Sequence, residues 1–262
     1  MKSILMRLLI LVVIVSIPIY LIYKDHLLSK SAPASIPALI ATTTPETTST
    51  NTSRTGALLS NISTSILPIP NLDKKWQLPA DYSDNIIRIM NFKISERTKD
   101  LKSNPDQFVS WLDLGILRKT VGDYNEAKNI WEYTASVWPD SLVSYHNLGD
   151  LYANYFKDNG KAEKNMKKVT QLDPHYIADY LSLNDLYRKM YGETGDKTGA
   201  VLLEGIKNNP DSVDLLMAIA LHYKNVNNKD NAKKYYDLAI KVAENAKNDS
   251  LVKDIQAELN KI

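Results

Sequence analysis

A repeat of 34 to 36 residues is the sequence feature that most constrains the fold of this chain. Four prolines, Pro105, Pro139, Pro174 and Pro210, are 34, 35 and 36 residues apart. Each unit repeats a large apolar residue, an aliphatic residue three positions later, a mostly small residue next, and a long side chain three positions after that. In order, these are Trp111, Leu114, Gly115 and Arg118; Tyr145, Leu148, Gly149 and Tyr152; Tyr180, Leu183, Asn184 and Tyr187; and Leu216, Ile219, Ala220 and Tyr223. A fixed period of this length is typical of a solenoid.

Each unit is predicted to be a pair of antiparallel α-helices. In the first helix the four repeated positions lie at i, i+3, i+4 and i+7, which is one face of an α-helix. In the second helix of the first unit, Ala127, Trp131 and Thr134 form the facing stripe. Glycine at position 115 lets the two helices approach closely, at a cost of about 1 kcal/mol in helix propensity relative to alanine.

The turns between paired helices carry their own signals. Asp123 predicts the N-cap of a second helix, and Glu126, three residues later, predicts its capping-box partner. The second and third units fit the common pattern only if they carry one and two extra residues. Four glycines crowd the turn and second helix of the third unit, at Gly192, Gly195, Gly199 and Gly205. We therefore expect a longer turn and a looser helix there.

These positions resemble the tetratricopeptide repeat (TPR) family, whose units are helix-turn-helix pairs of 34 residues. The resemblance covers residues 105–245 and departs from the family at Arg118, where Tyr is usual, at Asn184, where a small residue is usual, and at Glu244, where a fifth proline would fall. It implies an all-α fold, a right-handed α-solenoid of about four such units over residues 105–247. A leading helix within residues 72–104 and a capping helix within residues 248–262, carrying Leu251, Ile255 and Leu259, are expected to flank the repeats.

Residues 1–30 are predicted to contain a transmembrane anchor. Residues 4–23 are apolar apart from Arg7, Ser16 and the tyrosine hydroxyls. The stretch between Arg7 and Lys24 rises only ~24 Å as a helix, but snorkelling of both charged ends extends it toward the ~30 Å hydrocarbon core. A cleaved signal peptide is the alternative, although the nearest small-residue site, Ala32-Pro33-Ala34, lies far behind the apolar stretch.

Residues 31–71 are predicted to be a disordered linker. They hold long Ser/Thr tracts, five prolines and only two charges, Glu46 and Arg54. Such a composition cannot bury enough apolar area to offset its ordering entropy. A slight excess of positive charge before the apolar stretch, together with the absence of Cys from the chain, favours a cytoplasmic N-terminus and an extracytoplasmic repeat domain.

Charge and motif content argue against other classes of function. The net charge of the chain is +2, and residues 72–262 are close to neutral, so the basic surface of a nucleic-acid-binding protein is not expected. The four histidines, His26, His146, His175 and His222, are scattered, so no metal site is predicted. The sequence contains no phosphate-binding Gly-rich loop and no hydrolase nucleophile motif. We therefore expect no catalytic residues, no cofactor and no small-molecule substrate.

The resemblance also implies where a partner would bind. In the family, the first helices of successive units line a concave groove that holds peptides or protein segments. The corresponding residues here are, unit by unit, Leu112, Asp113 and Ile116; His146, Asn147, Asp150 and Asn154; Leu181, Asp185 and Arg188; and Met217 and Leu221. Because this set mixes apolar and acidic side chains, the expected partner is an amphipathic helix or an extended segment with some basic character. The Lys/Arg clamp by which some members bind C-terminal carboxylates is missing, since those positions hold Leu112, Ile116, Ala178 and Ser182.

Two functions remain open at this point. The first is a single-pass, membrane-anchored adaptor that presents the groove to a protein or peptide partner near the membrane, where tethering raises the effective concentration of membrane-bound partners. The second is a structural subunit of a cell-envelope or secretion assembly, in which the repeats pack permanently against other subunits.

Overall fold

The computed structural model describes residues 67–76 and 82–262. Residues 70–262 form one compact unit, separate from residues 1–69, of which only residues 67–69 are described and lack regular secondary structure. The predicted anchor and nearly all of the predicted linker lie outside the described residues. Within the described ranges, no helix combines the length and the apolar character needed to cross a lipid bilayer.

The described residues of the compact unit form ten α-helices and no β-strand. In chain order the helices are α1 (Asp84–Ser103), α2 (Phe108–Thr120), α3 (Tyr124–Val137), α4 (Leu142–Leu151), α5 (Asn159–Leu172), α6 (Ile177–Tyr191), α7 (Asp196–Asn208), α8 (Val213–Asn225), α9 (Lys229–Asn245) and α10 (Asp249–Leu259). A short π-helical segment, Tyr152–Phe156, continues α4. Helices α2 to α9 pack as four consecutive hairpins, with α1 against α2 and α10 against α9. The predicted all-helical, TPR-like solenoid is confirmed.

Small residues lie where the paired helices cross, as the repeat pattern predicts. A Cβ atom at Gly115 would stand 2.2 Å from Nε1 of Trp131, and one at Gly149 would stand 2.8 Å from Cγ of Met166. In the third hairpin the same position holds Asn184, whose Nδ2 donates a 2.6 Å hydrogen bond to the backbone oxygen of Thr198. A polar contact there replaces the close approach that glycine permits.

Asp123 is the N-cap of α3, and its side chain accepts a 3.3 Å hydrogen bond from the backbone N–H of Glu126. The predicted capping box is wrong in its second half. Glu126 pairs with Lys74, at 3.0 Å between Oε2 and Nζ, and the backbone N–H of Asp123 donates to the carbonyl of Arg118 at 2.9 Å. The lysine arrives from the segment before the repeats, which local sequence rules do not take into account.

The turn of the third hairpin, residues 192–195, is one residue longer than the turns at residues 121–123 and 226–228, as expected. The expectation of a looser second helix is wrong, because α7 is regular along its whole length. Its glycines serve close packing. A Cβ atom at Gly199 would stand 2.5 Å from Nε2 of His222, and one at Gly205 would stand 2.9 Å from Cγ of Tyr180.

The C-terminal helix α10 covers the last hairpin. Ile255 is fully buried and packs in a cluster with Leu216, Tyr236 and Ala239. Leu251 and Leu259 are partly buried against the same cluster. The apolar side of the last repeat is therefore shielded from water, which a terminal repeat requires.

Candidate functional site

A cleft of about 170 Å³ opens between the first helices of the second and third hairpins, α4 and α6. The π-helical segment and α5 also contribute to its walls. The structure brings four of the predicted groove residues together here, His146, Asp150, Asn154 and Asp185. Lining residues absent from the predicted set include Asp179 and Lys189. Two adjacent repeats thus build one accessible, mainly acidic surface.

A histidine–carboxylate pair forms one side of this cleft. Nδ1 of His146 lies 2.7 Å from Oδ2 of Asp179, and because a carboxylate only accepts hydrogen bonds, the imidazole N–H is the donor. Asp179 is fully buried, whereas the side chain of His146 is 26% exposed. The second oxygen, Oδ1 of Asp179, has no hydrogen-bond partner among the described residues. The ring of Tyr176 meets that of His146 edge-on, with centroids 5.4 Å apart.

The other two carboxylates are held by partners at the rim. Asp150 accepts a 2.8 Å hydrogen bond from Nδ2 of Asn154 and pairs with Lys119 of α2. Asp185 pairs with Arg188 one turn further along α6, at 2.8 Å. Asp185 and Arg188 are largely exposed, at 57% and 41% of their side chains. The ion pair between Asp185 and Arg188 is therefore well solvated.

The π-helical segment shapes the rim of the cleft. Ala153 and Asn154 belong to this segment and line the cleft, and Lys157 ends it in the left-handed conformation, at φ 58°. Such single-turn π-bulges are frequent at functional sites. Tyr152 anchors the segment from below, since its hydroxyl donates to Oε1 of Glu132 at 2.5 Å. Burial, followed by this hydrogen bond, raises the pKa of the Tyr152 hydroxyl well above its usual value.

The first hairpin contributes less to an open surface than the sequence predicts. Leu112 is fully buried, so its side chain is not available to a partner, and we leave it out of the candidate site. Asp113 pairs with Arg97 of the leading helix, at 3.2 Å between Nε and Oδ2. Burial raises the pKa of the Asp113 carboxyl, although Arg97 opposes this effect. Helix α1 packs on α2, and Arg97 on α1 already pairs with one of the predicted groove residues.

The remaining predicted residues lie outside the lining of the cleft. Ile116, Asn147, Leu181 and Met217 are half-buried, and Met217 packs against the core of the last hairpin. Leu221 on α8 is exposed. Leu221 lies on the first helix of the next hairpin, and this helix contacts α6 directly.

Asp179 departs from the residue types that its repeat position has in the other hairpins. It occupies the phase of Ser110, Ser144 and Leu215 in the other hairpins, and all four positions are buried. A phase that is apolar or small elsewhere therefore holds a carboxylate in the third unit. A buried carboxylate requires a partner, and this requirement points to a site.

A second concavity lies between α7 and α8, beside the long turn. It has a volume of about 400 Å³ and is lined by Glu193, Gly199, Leu203 and His222 among others. Burial lowers the pKa of the His222 imidazole, although Glu193, with Oε2 at 3.8 Å from Nδ1, opposes this effect. Across the described ranges, no group of three or more His, Cys, Asp or Glu side chains could hold a metal ion.

Comparisons with known proteins agree with this architecture. Residues 142–176 and 213–245, which contain the α4–α5 and α8–α9 hairpins, match the family model described as Tetratricopeptide repeat. No curated protein matches the chain.

Solved structures are similar to the chain at low sequence identity. A crystal structure of MamA protein has a TM-score of 0.50 and 22% identity, covering 61% of this chain and 86% of that one. A second MamA structure has a TM-score of 0.49 and 21% identity, covering 63% of this chain and 98% of that one. YrrB, a TPR protein with an unusual peptide-binding site, has a TM-score of 0.47 and 13% identity, covering 66% of this chain and 86% of that one. At such identities the likeness concerns the fold. The chain therefore carries tetratricopeptide repeats at residues 142–176 and 213–245, within an all-helical solenoid.

Proposed function

We propose that this protein is an interaction adaptor whose repeat unit binds a segment of a protein partner along α4 and α6. The observation that carries the proposal is the cleft itself. Residues from two neighbouring repeats, His146 and Asp150 on one helix and Asp185 on the other, converge on one accessible surface. A surface assembled from adjacent repeats suits an extended or helical segment that contacts several repeats at once.

The chemistry of the surface defines the partner further. The cleft is mainly acidic at its rim, and exposed Leu221 on α8 adds an apolar contact in the next repeat. A partner segment that offers a basic residue to the cleft and an apolar residue one repeat further complements both features. This is the amphipathic, partly basic segment that the sequence predicts.

Selection of peptides against the full chain tests the proposal. Random peptides displayed on phage are expected to yield binders that are enriched in basic and apolar residues. Reversing two rim charges, Asp150→Lys with Asp185→Lys, is expected to weaken these binders at least about tenfold, because both substitutions place like charges against the ligand.

Asp237→Lys provides the matched control, since Asp237 is an exposed acid on α9, away from the cleft. It is expected to leave the affinity unchanged. If selection yields no binders, or if binders ignore the double reversal at the cleft, the proposed function is wrong.

We further propose that residues 1–30 anchor the chain in a membrane and that the repeat unit lies on the extracytoplasmic side. The apolar run at residues 4–23 and the absence of Cys from the chain support this arrangement. Protease added outside sealed, right-side-out membrane vesicles is expected to degrade the repeat unit while a cytoplasmic marker protein survives. Protection of the repeat unit to the same extent as the marker would contradict it.

A further inference from the structure

We infer that the cleft between α4 and α6 is a lysine-binding subsite, which accepts the ammonium group of one lysine side chain from the partner. The inference rests on the proposed function and names the group that the partner must supply. Three observations carry it: a buried carboxylate with an unused oxygen, an acidic rim that includes an exposed ion pair, and apolar walls behind them.

Asp179 is the central observation. Its side chain is fully buried and lines the cleft. His146 engages Oδ2, while Oδ1 has no hydrogen-bond partner among the described residues. A buried acceptor without a donor is unfavourable, and the cost is larger when the acceptor belongs to a charged group. The unused oxygen is satisfied when a donor enters the cleft, and a cation supplies both the donor and the compensating charge.

The fold holds Asp179 in place for this role. It lies in the first turn of α6, where the positive end of the helix dipole favours a carboxylate. The ring of His146, which is 26% exposed, stays on Oδ2 and leaves Oδ1 for the incoming cation.

The rim attracts a cation, and one of its ion pairs is exposed and weak. Asp150 and Asp185 stand at the cleft with Asp179, against one lysine, Lys189. Asp185 pairs with Arg188 in an exposed setting, and such pairs contribute only about 0–1 kcal/mol. An incoming ammonium can therefore share Asp185 with Arg188, and any weakening of that pair costs little.

The pattern of acceptors selects an ammonium over a guanidinium. A guanidinium binds best through two parallel hydrogen bonds to both oxygens of one carboxylate. Here each carboxylate already has an oxygen engaged within the chain. Asp179 is engaged by His146, Asp185 by Arg188, and Asp150 by Lys119 and Asn154. An ammonium is a compact charge with three donors that can each reach a separate acceptor. Ser182, which also lines the cleft, offers a further acceptor.

Apolar side chains of the cleft can contact the methylene stem of a lysine. Met166 and Leu186 are buried and line the cleft beside Ala153. The methylene stem of lysine packs on apolar walls of this kind while its charged end reaches polar groups. The cleft thus matches the two parts of a lysine side chain.

A small probe tests the subsite without a partner. N-acetyl-lysine N-methylamide is titrated into the full, nitrogen-labelled chain, and amide shifts are followed by NMR. The backbone amides of Asp179 and Ser182 are expected to shift saturably. Asp179→Asn is expected to weaken the affinity for this probe about tenfold, because a charge-assisted hydrogen bond is lost. Asp237→Asn, an exposed acid on α9, is the matched control and is expected to have no effect.

Two further probes decide the chemistry. The same compound acetylated at Nε has lost the charge and is expected not to shift these amides. The arginine counterpart is expected to bind more weakly than lysine. If Asp179→Asn loses the dispersed spectrum of a folded chain, Asp185→Asn and Ser182→Ala serve instead, each with a weaker loss of affinity.

The inference is overturned if the lysine probe gives no saturable shift, if acetylation at Nε makes no difference, or if arginine binds more tightly. These outcomes are separate from those of peptide selection. Peptides that depend on Asp150 and Asp185 but not on any lysine would leave the proposed function standing and remove this subsite.

Discussion

Gly115 and Gly160 are both helical glycines, but they stand in opposite surroundings. A Cβ atom at Gly115 would lie 2.2 Å from Nε1 of Trp131, which is fully buried, whereas the nearest atom to one at Gly160 is Oδ1 of Asp158, at 3.7 Å. Alanine is favoured over glycine in helices by about 1 kcal/mol. The sign of a Gly→Ala substitution therefore depends on the space at each site.

Gly115→Ala is expected to lower the free energy of unfolding by about 1–3 kcal/mol, because overpacking against Trp131 outweighs the gain in propensity. Gly160→Ala is the matched control and is expected to be neutral or stabilising by up to about 1 kcal/mol. Urea denaturation followed by circular dichroism measures both. Equal effects of the two substitutions would show that the helices do not cross at Gly115.

Arg118 stands where the repeat pattern usually has tyrosine, and it connects the repeats to the segment before them. Its side chain is only 2% exposed, and Nη2 donates a 3.0 Å hydrogen bond to the backbone oxygen of Lys74. Nη1 lies 3.4 Å from Oδ2 of Asp123, the N-cap of α3. Burial lowers the pKa of the Arg118 guanidinium, although Asp123 and Glu126 oppose this effect.

Arg118→Ala is expected to lower the free energy of unfolding by about 3 kcal/mol, because it leaves a cavity and removes one of the two cationic partners of Asp123, the other being Lys74. Arg88→Ala, at an exposed arginine of α1, is the control and is expected to change it by less than about 0.5 kcal/mol. Chemical denaturation of both variants distinguishes the cases. A loss at Arg118 no larger than at Arg88 would contradict the structural role.

The residues that sequence could predict are those whose role repeats. Gly115 and Gly149 recur at one phase, so their place at helix crossings follows from the period alone. The contact between His146 and Asp179 joins side chains from different units and depends on their rotamers, which no periodic pattern contains. Arg118 departs from the repeat pattern, but its partner Lys74 lies outside the repeats, so their pattern does not predict this contact.

At the scale of elements, the extra residues of the second and third units are taken up in two different ways. The spacing from the small residue of the first helix to the small residue of the second grows by one between Gly149 and Ala162. The π-helical segment Tyr152–Phe156 lies within this interval and absorbs the insertion without breaking the helix. In the third unit the extra residues lengthen α6 and the turn at residues 192–195. Sequence spacing predicted how many residues were added but not which backbone form they adopt.

The packing of α7 on α8 through Gly199 and His222 makes the stability of these elements depend on pH. Burial lowers the pKa of His222 below its ordinary value of 6.5, although Glu193 opposes this effect. The unfolded chain therefore binds a proton at His222 at higher pH than the folded chain does. The contribution of His222 to stability is complete above the unfolded pKa and is lost progressively as the pH falls through that value toward the folded one.

His222→Gln is expected to reduce the loss of unfolding free energy between about pH 7.5 and pH 5.5, since glutamine does not titrate. His175→Gln, at an exposed histidine, is the control and is expected to retain the pH dependence of the parent chain. Denaturation curves at the two pH values give the comparison. An equal loss of unfolding free energy between the two pH values in the parent and in His222→Gln would refute the effect.

At the scale of the whole repeat unit, both ends of the solenoid are closed by non-repeat elements. Helix α1 packs on α2 at one end, and α10 packs on α9 at the other. The repeat period predicted the stacked hairpins, and the apolar spacing of Leu251, Ile255 and Leu259 predicted the closing helix. It did not predict the burial of Leu112 or the ion pair between Arg97 of α1 and Asp113 of the first repeat. The ion pair depends on how a flanking helix docks, which local periodicity does not specify.

Amide hydrogen exchange of the full chain, with and without a peptide selected for binding, tests the central claim most directly. The account predicts slower exchange on binding in α4 with the π-helical segment and in α6, and unchanged exchange in the second helices α7 and α9. Slower exchange in α7 and α9, with none in α4 and α6, would contradict it.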